Sequence, residues 1–344
     1  MANKTAVVIL NWNGKELMRR YLPAVIENSE AAGGVDVVVA DNASADGSLD
    51  MLRQEFPQVT VIALDQNYGF AEGYNRALRQ LPHEYVVLLN SDVAPAPGWL
   101  APLVALLDGD ASVGACGPKL LDDKAHEMFE YAGAAGGYID RFGYPFCRGR
   151  VLDCVEKDSG QYDSDADVLW VSGAALMLRR ELYCAAGGLD SDFFAHMEEI
   201  DLCWRLRNMG LRIVACCGSG AKVYHLGGAT LSSANPRKAY LNFRNNLTML
   251  VKNYNGRMWW AVVFFRLVLD GVAGAKYLLS GQGAFCAAIV RAHWSFFGTL
   301  RRSLAKRAAL KAGRGRELVP EVRHYSMLWR FFALGRKTFS RMDG

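Results

Sequence analysis

Apolar runs that end abruptly in small polar residues recur in the first hundred positions of the chain. The clearest run, residues 85–89, is followed by Asn90, Ser91 and Asp92. Such a run is typical of a parallel strand that is buried on both faces. Two earlier segments, 6–14 and 35–44, follow the same pattern.

Helical stretches at 16–29 and 48–56 separate these runs. The resulting βαβ alternation predicts a parallel sheet, with three strands that end in polar residues at one edge. Because ligands of open α/β sheets bind outside the carboxyl ends of the strands, this edge is a candidate ligand site. Asn, Ser and Asp are also ordinary turn residues, so the pattern alone leaves both interpretations open.

Two carboxylates mark this edge. Asp92 follows the 85–89 run, where its hard oxygen ligands suit Mg²⁺ or Mn²⁺. Asp41 ends the second run, at the place where nucleotide-binding α/β folds hold ribose or base. No Gly-x-Gly-x-x-Gly follows the first run, and no Gly-x-x-x-x-Gly-Lys-Ser/Thr occurs. A dinucleotide site and a P-loop are therefore both disfavoured.

Composition narrows the class of protein. The 344 residues are enough for two domains, and a net charge of +4 does not indicate nucleic-acid binding. The eight cysteines are scattered without Cys-x-x-Cys spacing, and no signal peptide precedes the first run. Reduced thiols in a cytosolic protein are expected, and a zinc cluster is not.

Several segments, in the same order, resemble the inverting family 2 glycosyltransferases of the GT-A fold. They lie at 8–14, 38–48, 67–75, 88–92, 173–181, 193–205 and 223–228. Together they span about the first two-thirds of the chain. They are most similar to the rhamnosyltransferase-like branch, which builds bacterial surface polysaccharides.

The resemblance implies a GT-A catalytic domain over residues 1–235, with a mainly parallel α/β sheet flanked by helices, and a helical region over 236–344. It implies metal-dependent, inverting transfer of a hexose or deoxyhexose, such as rhamnose, from a dTDP- or UDP-sugar. The implied acceptor is a hydroxyl of a polyprenyl-diphosphate-linked glycan at the cytoplasmic face of the bacterial inner membrane, where cell-wall polysaccharide is made.

Two other functions stay open. A nucleotidyltransferase on a similar core would need a basic triphosphate-binding loop near the N-terminus, and none is present. A non-catalytic scaffold could retain the fold without activity. The acidic residues at Asp41, Asp92 and Glu199 argue against a scaffold.

The resemblance assigns Mn²⁺ or Mg²⁺ to Asp92 and His225. The family motif is Asp-x-Asp or Asn-x-Asp, and this chain has the second form, so Asp92 is the expected direct ligand. Asn90 would then contact ribose or water around the metal. Relatives use a histidine where His225 follows a strand pattern at 221–224, although a lone histidine is more often structural. Imidazole suits Mn²⁺ better than Mg²⁺.

The expected base lies in a predicted helix at 196–209. Glu198 and Glu199 fall in its first turn, where the helix dipole favours carboxylates. The family usually has Glu-Asp here with Asp as base, and Glu199 aligns with that Asp despite its extra methylene. Glu198 would orient the acceptor or cap the helix, and a solvated helix cap is the alternative for both. Asp201 is expected to pair with Arg205.

The remaining donor contacts are assigned from the resembling segments. They are Asn11, Asn13, Asp41, Asn67, Gly69, Gly73, Asn75, Asn90 and Gly173. Gly69 and Gly73 would allow close backbone approach, with a helix opening near Asn75 and Arg76. Arg76 faces either a phosphate or solvent. Residues 171–176 are predicted to form a strand of small residues. This strand packs either beside the bound sugar or in a tightly packed core.

The C-terminal region has a different pattern. A helix is predicted at 240–254, stopped by Asn255-Gly256. The resemblance to the bacterial relatives implies that Arg244 and Asn245 contact the diphosphate or the acceptor. Two apolar runs, 258–271 and 284–297, follow it. Their charges are too many for easy membrane-spanning helices: Arg266, Asp270, Lys276 and Arg291.

These runs are expected to lie in a membrane interface, with Trp259, Trp260 and Trp294 at headgroup depth. A basic cluster suited to anionic lipid follows: Arg301, Arg302, Lys306, Arg307, Lys311, Arg314 and Arg316. The alternatives are a helical bundle packed on the catalytic domain and a homodimer interface. A nucleic-acid patch is disfavoured, because the cluster follows an apolar helix and not a base-stacking platform.

Overall fold

A computed structural model describes residues 3–30, 32–227, 235–310 and 319–343. The strands are β1 Thr5–Asn11, β2 Val35–Asp41, β3 Thr60–Ala63, β4 Tyr85–Leu89, β5 Val93–Pro95, β6 Val113–Gly117, β7 Lys119–Asp122, β8 Gly137–Asp140, β9 Pro145–Cys147, β10 Arg150–Val151, β11 Cys154–Val155, β12 Ala166–Asp167, β13 Ala175–Arg179, β14 Arg212–Ala215, β15 Lys222–His225 and β16 Val322–Arg323. The helices are α1 Lys15–Glu30, α2 Ser48–Glu55, α3 Gly69–Arg79, α4 Ala101–Gly109, α5 Arg180–Ala185, α6 Glu198–Asn208, α7 Pro236–Asn253, α8 Trp259–Leu279, α9 Gly283–Leu310 and α10 Met327–Phe332.

A central sheet is formed by eight strands of the described chain that lie between Thr5 and Ala215. Within the described residues its strand order is β12-β14-β6-β13-β4-β1-β2-β3. The neighbours β4, β1, β2 and β3 are parallel, as the βαβ alternation predicts. β13 runs antiparallel between β4 and β6, so its beginning lies beside the carboxyl end of β4. This arrangement confirms the α/β prediction and brings residues 171–174 to the predicted ligand edge.

The apolar runs are continuous because the sheet has a hydrophobic core on each face. In β4, Val86 and Leu88 pack into one core, whereas Val87 and Leu89 pack into the other. Alternate side chains of a strand point to opposite faces, so a strand covered on both sides needs apolar residues throughout.

Two smaller sheets complete the site. The order β5-β15-β7 places His225 opposite Val93, the residue after Asp92. A second small sheet, β11-β10-β9-β8-β16, joins residues 137–155 to the C-terminal strand β16. The C-terminal region therefore contributes a strand, β16, to a sheet whose other strands come from residues 137–155.

The C-terminal helices differ from the predicted boundaries. α7 starts earlier than predicted, at Pro236, because Asn235 accepts a hydrogen bond from the Arg237 amide at 2.9 Å and so caps the helix. α9 continues well past the predicted end at 297. α8 and α9 pack against each other and are joined by residues 280–282; we call them the hairpin. In the described parts of the chain no helix is long and apolar enough to cross a membrane.

Two predictions near the ligand edge are wrong. The helix expected to open near Asn75 begins at Gly69, so Gly73 and Asn75 lie inside α3. The strand expected at 171–176 starts only at Ala175, which leaves Gly173 in the preceding turn. That turn closes through a hydrogen bond from the Ala175 amide to the Ser172 carbonyl at 3.1 Å.

Candidate active site

The carboxyl ends of β1 and β2 are joined by buried polar side chains. Asn11 donates to Asp41 Oδ2 at 2.9 Å, and Asp41 Oδ1 accepts from the Ser44 amide at 2.8 Å. Asn13 accepts from the Ala45 amide at 2.7 Å. Asn11 Oδ1 is buried without a hydrogen-bond partner in the described residues. Asn11, Asn13 and Asp41 therefore form a fixed polar surface, which we call the polar floor. In it, Oδ1 of Asn11 is free to accept a hydrogen bond from a ligand.

A second hydrogen-bond chain fixes the loop before α3. Asn42 donates to Asn67 Oδ1 and to the Gly69 carbonyl, both at 3.0 Å, and Asn67 Oδ1 also accepts from the Gly69 amide at 2.8 Å. Gly69 has φ +73°, and a Cβ there would lie 2.9 Å from the ring of Phe194. Glycine is required at this position because both the backbone conformation and the space demand it.

The donor contacts predicted for Gly73 and Asn75 need correction. A Cβ on Gly73 would lie 3.0 Å from the Leu10 side chain, so this glycine allows α3 to pack on β1. Asn75 donates to the Leu189 carbonyl at 2.8 Å and accepts from the Tyr183 hydroxyl at 2.6 Å. These two residues hold α3 in place. Arg76 pairs with Glu72 of the same helix at 3.2 Å.

Asp92 and His225, 133 positions apart, meet at the end of β4. Nε2 of His225 lies 3.2 Å from Oδ1 of Asp92 and 3.4 Å from Nδ2 of Asn90. The pairing of β5 with β15 produces this contact, and the Leu226 amide donates to the Asp92 carbonyl at 3.0 Å. Both side chains are buried.

Glu130 is a third member of this cluster that the sequence pattern did not reveal. Its Oε1 lies 3.3 Å from Nδ1 of His225, and its Oε2 accepts from the Ala132 amide at 2.6 Å. Burial alone lowers the pKa of His225, but hydrogen bonding to Asp92 and Glu130 raises it to about 10. The only sequence signal for Glu130 is a charged residue two positions before the small-residue stretch 132–137.

Glu198 and Glu199 begin α6, as predicted. The turn at Gly173 lies against Glu199: a Cβ there would be 3.3 Å from Cβ of Glu199. Burial raises the pKa of Glu199, and burial together with the neighbouring Glu199 charge raises the pKa of Glu198. Oε2 of each is buried without a hydrogen-bond partner in the described residues. Two carboxyl groups with spare acceptor atoms therefore lie at this edge.

The loop that enters α6 has an unusual backbone. Phe194, His196 and Met197 have φ values of +65°, +68° and +72°, a region that non-glycine residues seldom adopt. Asn245 of α7 donates to the carbonyls of Phe193, Ala195 and His196 at 3.1, 2.9 and 2.7 Å.

Arg244 donates to the Asp192 and Phe193 carbonyls, both at 3.0 Å. The sequence-based hypothesis placed Arg244 and Asn245 on the diphosphate or acceptor. The structure instead uses them to hold the strained loop that positions Glu198 and Glu199.

Asp201, one turn along α6, is completely buried and fully paired. It accepts from Arg205 at 2.9 Å, as predicted, and also from Lys252 at 2.9 Å and Asn253 at 2.7 Å. These contacts tie α6 to α7, so the position of the Glu198–Glu199 turn depends on both helices.

The donor set of the Asp92–His225 pair fits a divalent cation. A carboxylate oxygen and an imidazole nitrogen lie within 3.2 Å of each other, a combination that suits Mn²⁺. Among the described residues, no group of three His, Cys, Asp or Glu side chains is arranged to hold a metal. A cation here would take its other ligands from substrate oxygens and water.

Comparisons with known proteins identify glycosyltransferases as similar to this chain. The family model "Glycosyl transferase family 2" matches residues 6–125, a span that includes Asp41 and Asp92 and ends before Glu199 and His225. An N-acetylglucosaminyl-diphospho-decaprenol L-rhamnosyltransferase of Mycobacterium tuberculosis is 25% identical over 331 residues, covering 91% of this chain and all of the relative. Residues 6–125 of the chain are therefore a glycosyl transferase family 2 domain.

Further relatives agree with the rhamnosyltransferase-like branch of this family. Rhamnosyltransferase WbbL of Escherichia coli K12 is 25% identical over 203 residues, which cover 56% of this glycosyltransferase and 74% of WbbL. Among solved structures, the mannosyltransferase PcManGT of Pyrobaculum calidifontis, in complex with GDP-Man and Mn²⁺, has a TM-score of 0.54 at 17% identity and covers 86% of this chain and 87% of its own. That likeness confirms the GT-A fold.

Proposed function

We propose that this glycosyltransferase moves a hexose or deoxyhexose, with rhamnose favoured by its relatives, from a nucleotide-diphosphate sugar to a hydroxyl of a lipid-linked glycan. The observation that carries the proposal is the meeting of Asp92 and His225 at the carboxyl edge that also holds Asp41 and Glu199. A diphosphate leaving group needs a cation, and an acceptor hydroxyl needs a base.

Asp92 and His225 would hold Mn²⁺ or Mg²⁺ at the donor diphosphate. A bound cation would neutralise the negative charge that develops on the leaving group. Asn90, 3.4 Å from His225, remains available for ribose or a metal-bound water. The polar floor of Asn11, Asn13 and Asp41 would face the nucleoside.

Glu199 would remove the proton from the acceptor hydroxyl. Its raised pKa suits a base better than that of an ordinary exposed carboxylate, because a stronger base takes up a proton more readily near neutral pH. Attack on the face of the sugar opposite the diphosphate inverts the anomeric configuration. Glu198 is left to orient the acceptor.

The hairpin supports a peripheral site of action at the cytoplasmic face of the inner membrane. In α8, Arg266 and Asp270 are buried and face the protein, 2.7 Å apart. Large apolar side chains face outward instead: Trp260, Phe264, Phe265, Val268, Val272, Leu278 and Leu279. α9 exposes Trp294 and Phe297 in the same way.

An exposed apolar surface of this extent is typical of a partner or membrane contact. A bilayer surface is the occupant we propose, because the acceptor of the mycobacterial relative carries a decaprenol lipid. A second copy of the chain is the alternative. Trp259 has a different role from the predicted one: it lies under Arg307, whose guanidinium carbon is 5.0 Å from the ring centre.

Several residues of the predicted basic cluster have partners within the protein and are less available to lipid. Arg302 and Lys306 pair with Asp192 at 2.6 and 2.7 Å, and Arg307 donates to the Val251 and Tyr254 carbonyls. Lys311, Arg314 and Arg316 lie outside the described residues. Apolar contact is therefore the larger part of the membrane affinity that we propose.

Calorimetry with Mn²⁺ and a nucleoside diphosphate tests the metal assignment. Asp92→Ala and His225→Ala should abolish metal-dependent binding, whereas Arg76→Ala, on the outer face of α3, should bind as the wild type does. The variants should retain the wild-type circular dichroism spectrum. Unchanged affinity in Asp92→Ala would contradict the proposed metal site.

A further inference from the structure

Arg150 is a buried arginine whose charge has no carboxylate partner within 4 Å among the residues that the structure describes. It is 7% exposed, and its Nε has no hydrogen-bond partner there. Its one described hydrogen bond runs from Nη2 to Sγ of Cys147, at 3.4 Å. Burial raises the pKa of the Cys147 thiol, so the sulfur is neutral and cannot balance the guanidinium charge.

The nearby carboxylate that acts on Arg150, Glu130, lies beyond ion-pair distance. A buried charge without a hydrogen-bonded counter-charge is costly, and proteins seldom retain one without a ligand or a partner. The neighbouring Arg148 provides the contrast. It is equally buried but donates to the carbonyls of Ala135, Tyr162 and Ser164 at 3.3, 3.4 and 3.0 Å. Arg148 holds the small sheet together, whereas Arg150 has donors to spare.

Arg150 lies beside the active site. The ring of Tyr131 covers it, 4.7 Å from the guanidinium carbon, and Tyr131 follows Glu130, which contacts His225. Glu199 and Glu130 both act electrostatically on Cys147, the hydrogen-bond partner of Arg150. Tyr131 is half exposed, so Arg150 lies one side chain below the surface.

The same position is close to the hairpin. Partial burial is the main cause of the raised pKa of Tyr131, and the charge of Tyr277, near the end of α8, has a smaller effect in the same direction. Leu278 and Leu279, the next residues along α8, are exposed. Arg150 and Tyr131 thus lie next to Glu130 and His225 of the active site, within electrostatic range of Glu199 and of the end of α8.

We propose that Arg150, under Tyr131, binds the diphosphate of a prenyl-diphosphate-linked acceptor. This inference rests on the proposed function and assigns the acceptor side of the same site. A sugar at Glu199 would be followed by its diphosphate at Arg150 and by its prenyl chain along the exposed end of α8. A guanidinium suits this role, because its planar donors match phosphate oxygens.

Binding of farnesyl diphosphate to the full-length protein in detergent tests the assignment. Arg150→Met should weaken it about ten- to a hundredfold, the loss expected for charge-assisted hydrogen bonds. Binding of farnesol, which lacks the phosphates, should not change. Binding of a nucleoside diphosphate with Mn²⁺ should also stay as in the wild type, which separates the acceptor diphosphate from the donor diphosphate.

Thermal stability separates binding from a structural role. Without ligand, Arg150→Met should melt at the wild-type temperature or higher, because an unbalanced buried charge is removed. Arg148→Met, the matched control, should melt lower and keep the wild-type preference for farnesyl diphosphate over farnesol.

Three outcomes would overturn the assignment. They are wild-type protein that does not bind farnesyl diphosphate, unchanged affinity in Arg150→Met, and loss of nucleoside diphosphate binding instead. A fourth outcome separates this site from the proposed function. If Arg150 is needed for farnesyl diphosphate binding but the enzyme glycosylates no lipid-linked acceptor, the proposed function is wrong and the Arg150 site is retained.

Discussion

The active-site edge and the hairpin differ in how their buried polar groups are satisfied. At the edge, apolar strands end in polar side chains, and several of these keep unsatisfied atoms: Asn11, Glu198 and Glu199. In α8 the charged residues Arg266 and Asp270 satisfy each other inside the protein, while apolar residues face outward. Unsatisfied polar atoms therefore mark the edge that we propose binds substrate, and exposed apolar side chains mark the face that we propose contacts a membrane.

Replacement of Glu199 tests the edge most severely. Loss of a general base typically costs ~10²–10⁴ in rate. Glu199→Gln should therefore bind nucleotide sugar normally and transfer almost nothing, whereas Glu198→Gln should lose less. Turnover assays with donor titration measure both. The reverse order of the two variants would exchange their roles.

The pH profile sharpens the same assignment. Glu199 must be deprotonated to act as a base, and burial raises its pKa above the usual value of 4.5. The rate should therefore fall, as pH is lowered, through an apparent pKa above 4.5. Glu198 faces the same environment, so the profile of Glu198→Gln shows whether the pair shares this titration.

Asp270 tests whether the hairpin depends on its buried ion pair. Breaking such a pair from one side leaves a buried charge and costs about 3–5 kcal/mol, so Asp270→Asn should lower the melting temperature clearly. The double variant Arg266→Met/Asp270→Leu should be closer to wild type, because no charge remains unpaired. Denaturant melts measure both, and equal losses in the single and double variants would contradict this account.

The outward face of α8 should control membrane binding. Burying a large apolar side chain contributes ~1.5–3 kcal/mol, so the triple variant Trp260→Ser/Phe264→Ser/Phe265→Ser should weaken liposome binding by about a thousandfold or more. Flotation with vesicles of different anionic lipid content measures this effect.

The charged residues supply the matched control for the membrane. Arg301→Gln, on the exposed face of α9, should have a smaller and salt-sensitive effect. If the triple variant floats as well as wild type but changes from dimer to monomer in light scattering, the face belongs to a second copy of the chain.

The two regions also differ in how far the sequence predicts them. The strand ends at Asn11, Asp41 and Asp92 follow from a local pattern, because a strand buried on both faces must be apolar until it reaches its polar end. The contact between Asp92 and His225 does not follow from the pattern, since it depends on a strand pairing across 133 positions. The family resemblance supplied that pair.

Other features needed three-dimensional packing. The charges of α8 predict an ordinary polar face, and only the contacts with Tyr144 and Asn246 show that Arg266 points inward. Asn75 lies in a segment whose sequence is typical of a ligand-binding loop. Its hydrogen-bond partners, Leu189 and Tyr183, are distant in sequence, so the sequence pattern could not reveal its structural role. In each case a residue type was compatible with two roles, and the long-range partner decided between them.

Glu130 offers the finest test of the edge, because it acts through His225. Its carboxylate lies 3.3 Å from Nδ1 of His225. Loss of a carboxylate that orients a metal-binding histidine typically costs 10–100-fold in metal affinity. Glu130→Ala should therefore weaken Mn²⁺-dependent donor binding by about that factor, and Glu130→Gln less, since the amide oxygen can still accept a hydrogen bond. Thermal melts without metal show whether the fold is intact. Equal affinities in Glu130→Ala and wild type would mean that Asp92 and the strand pairing of β15 with β5 are sufficient to hold His225 in place.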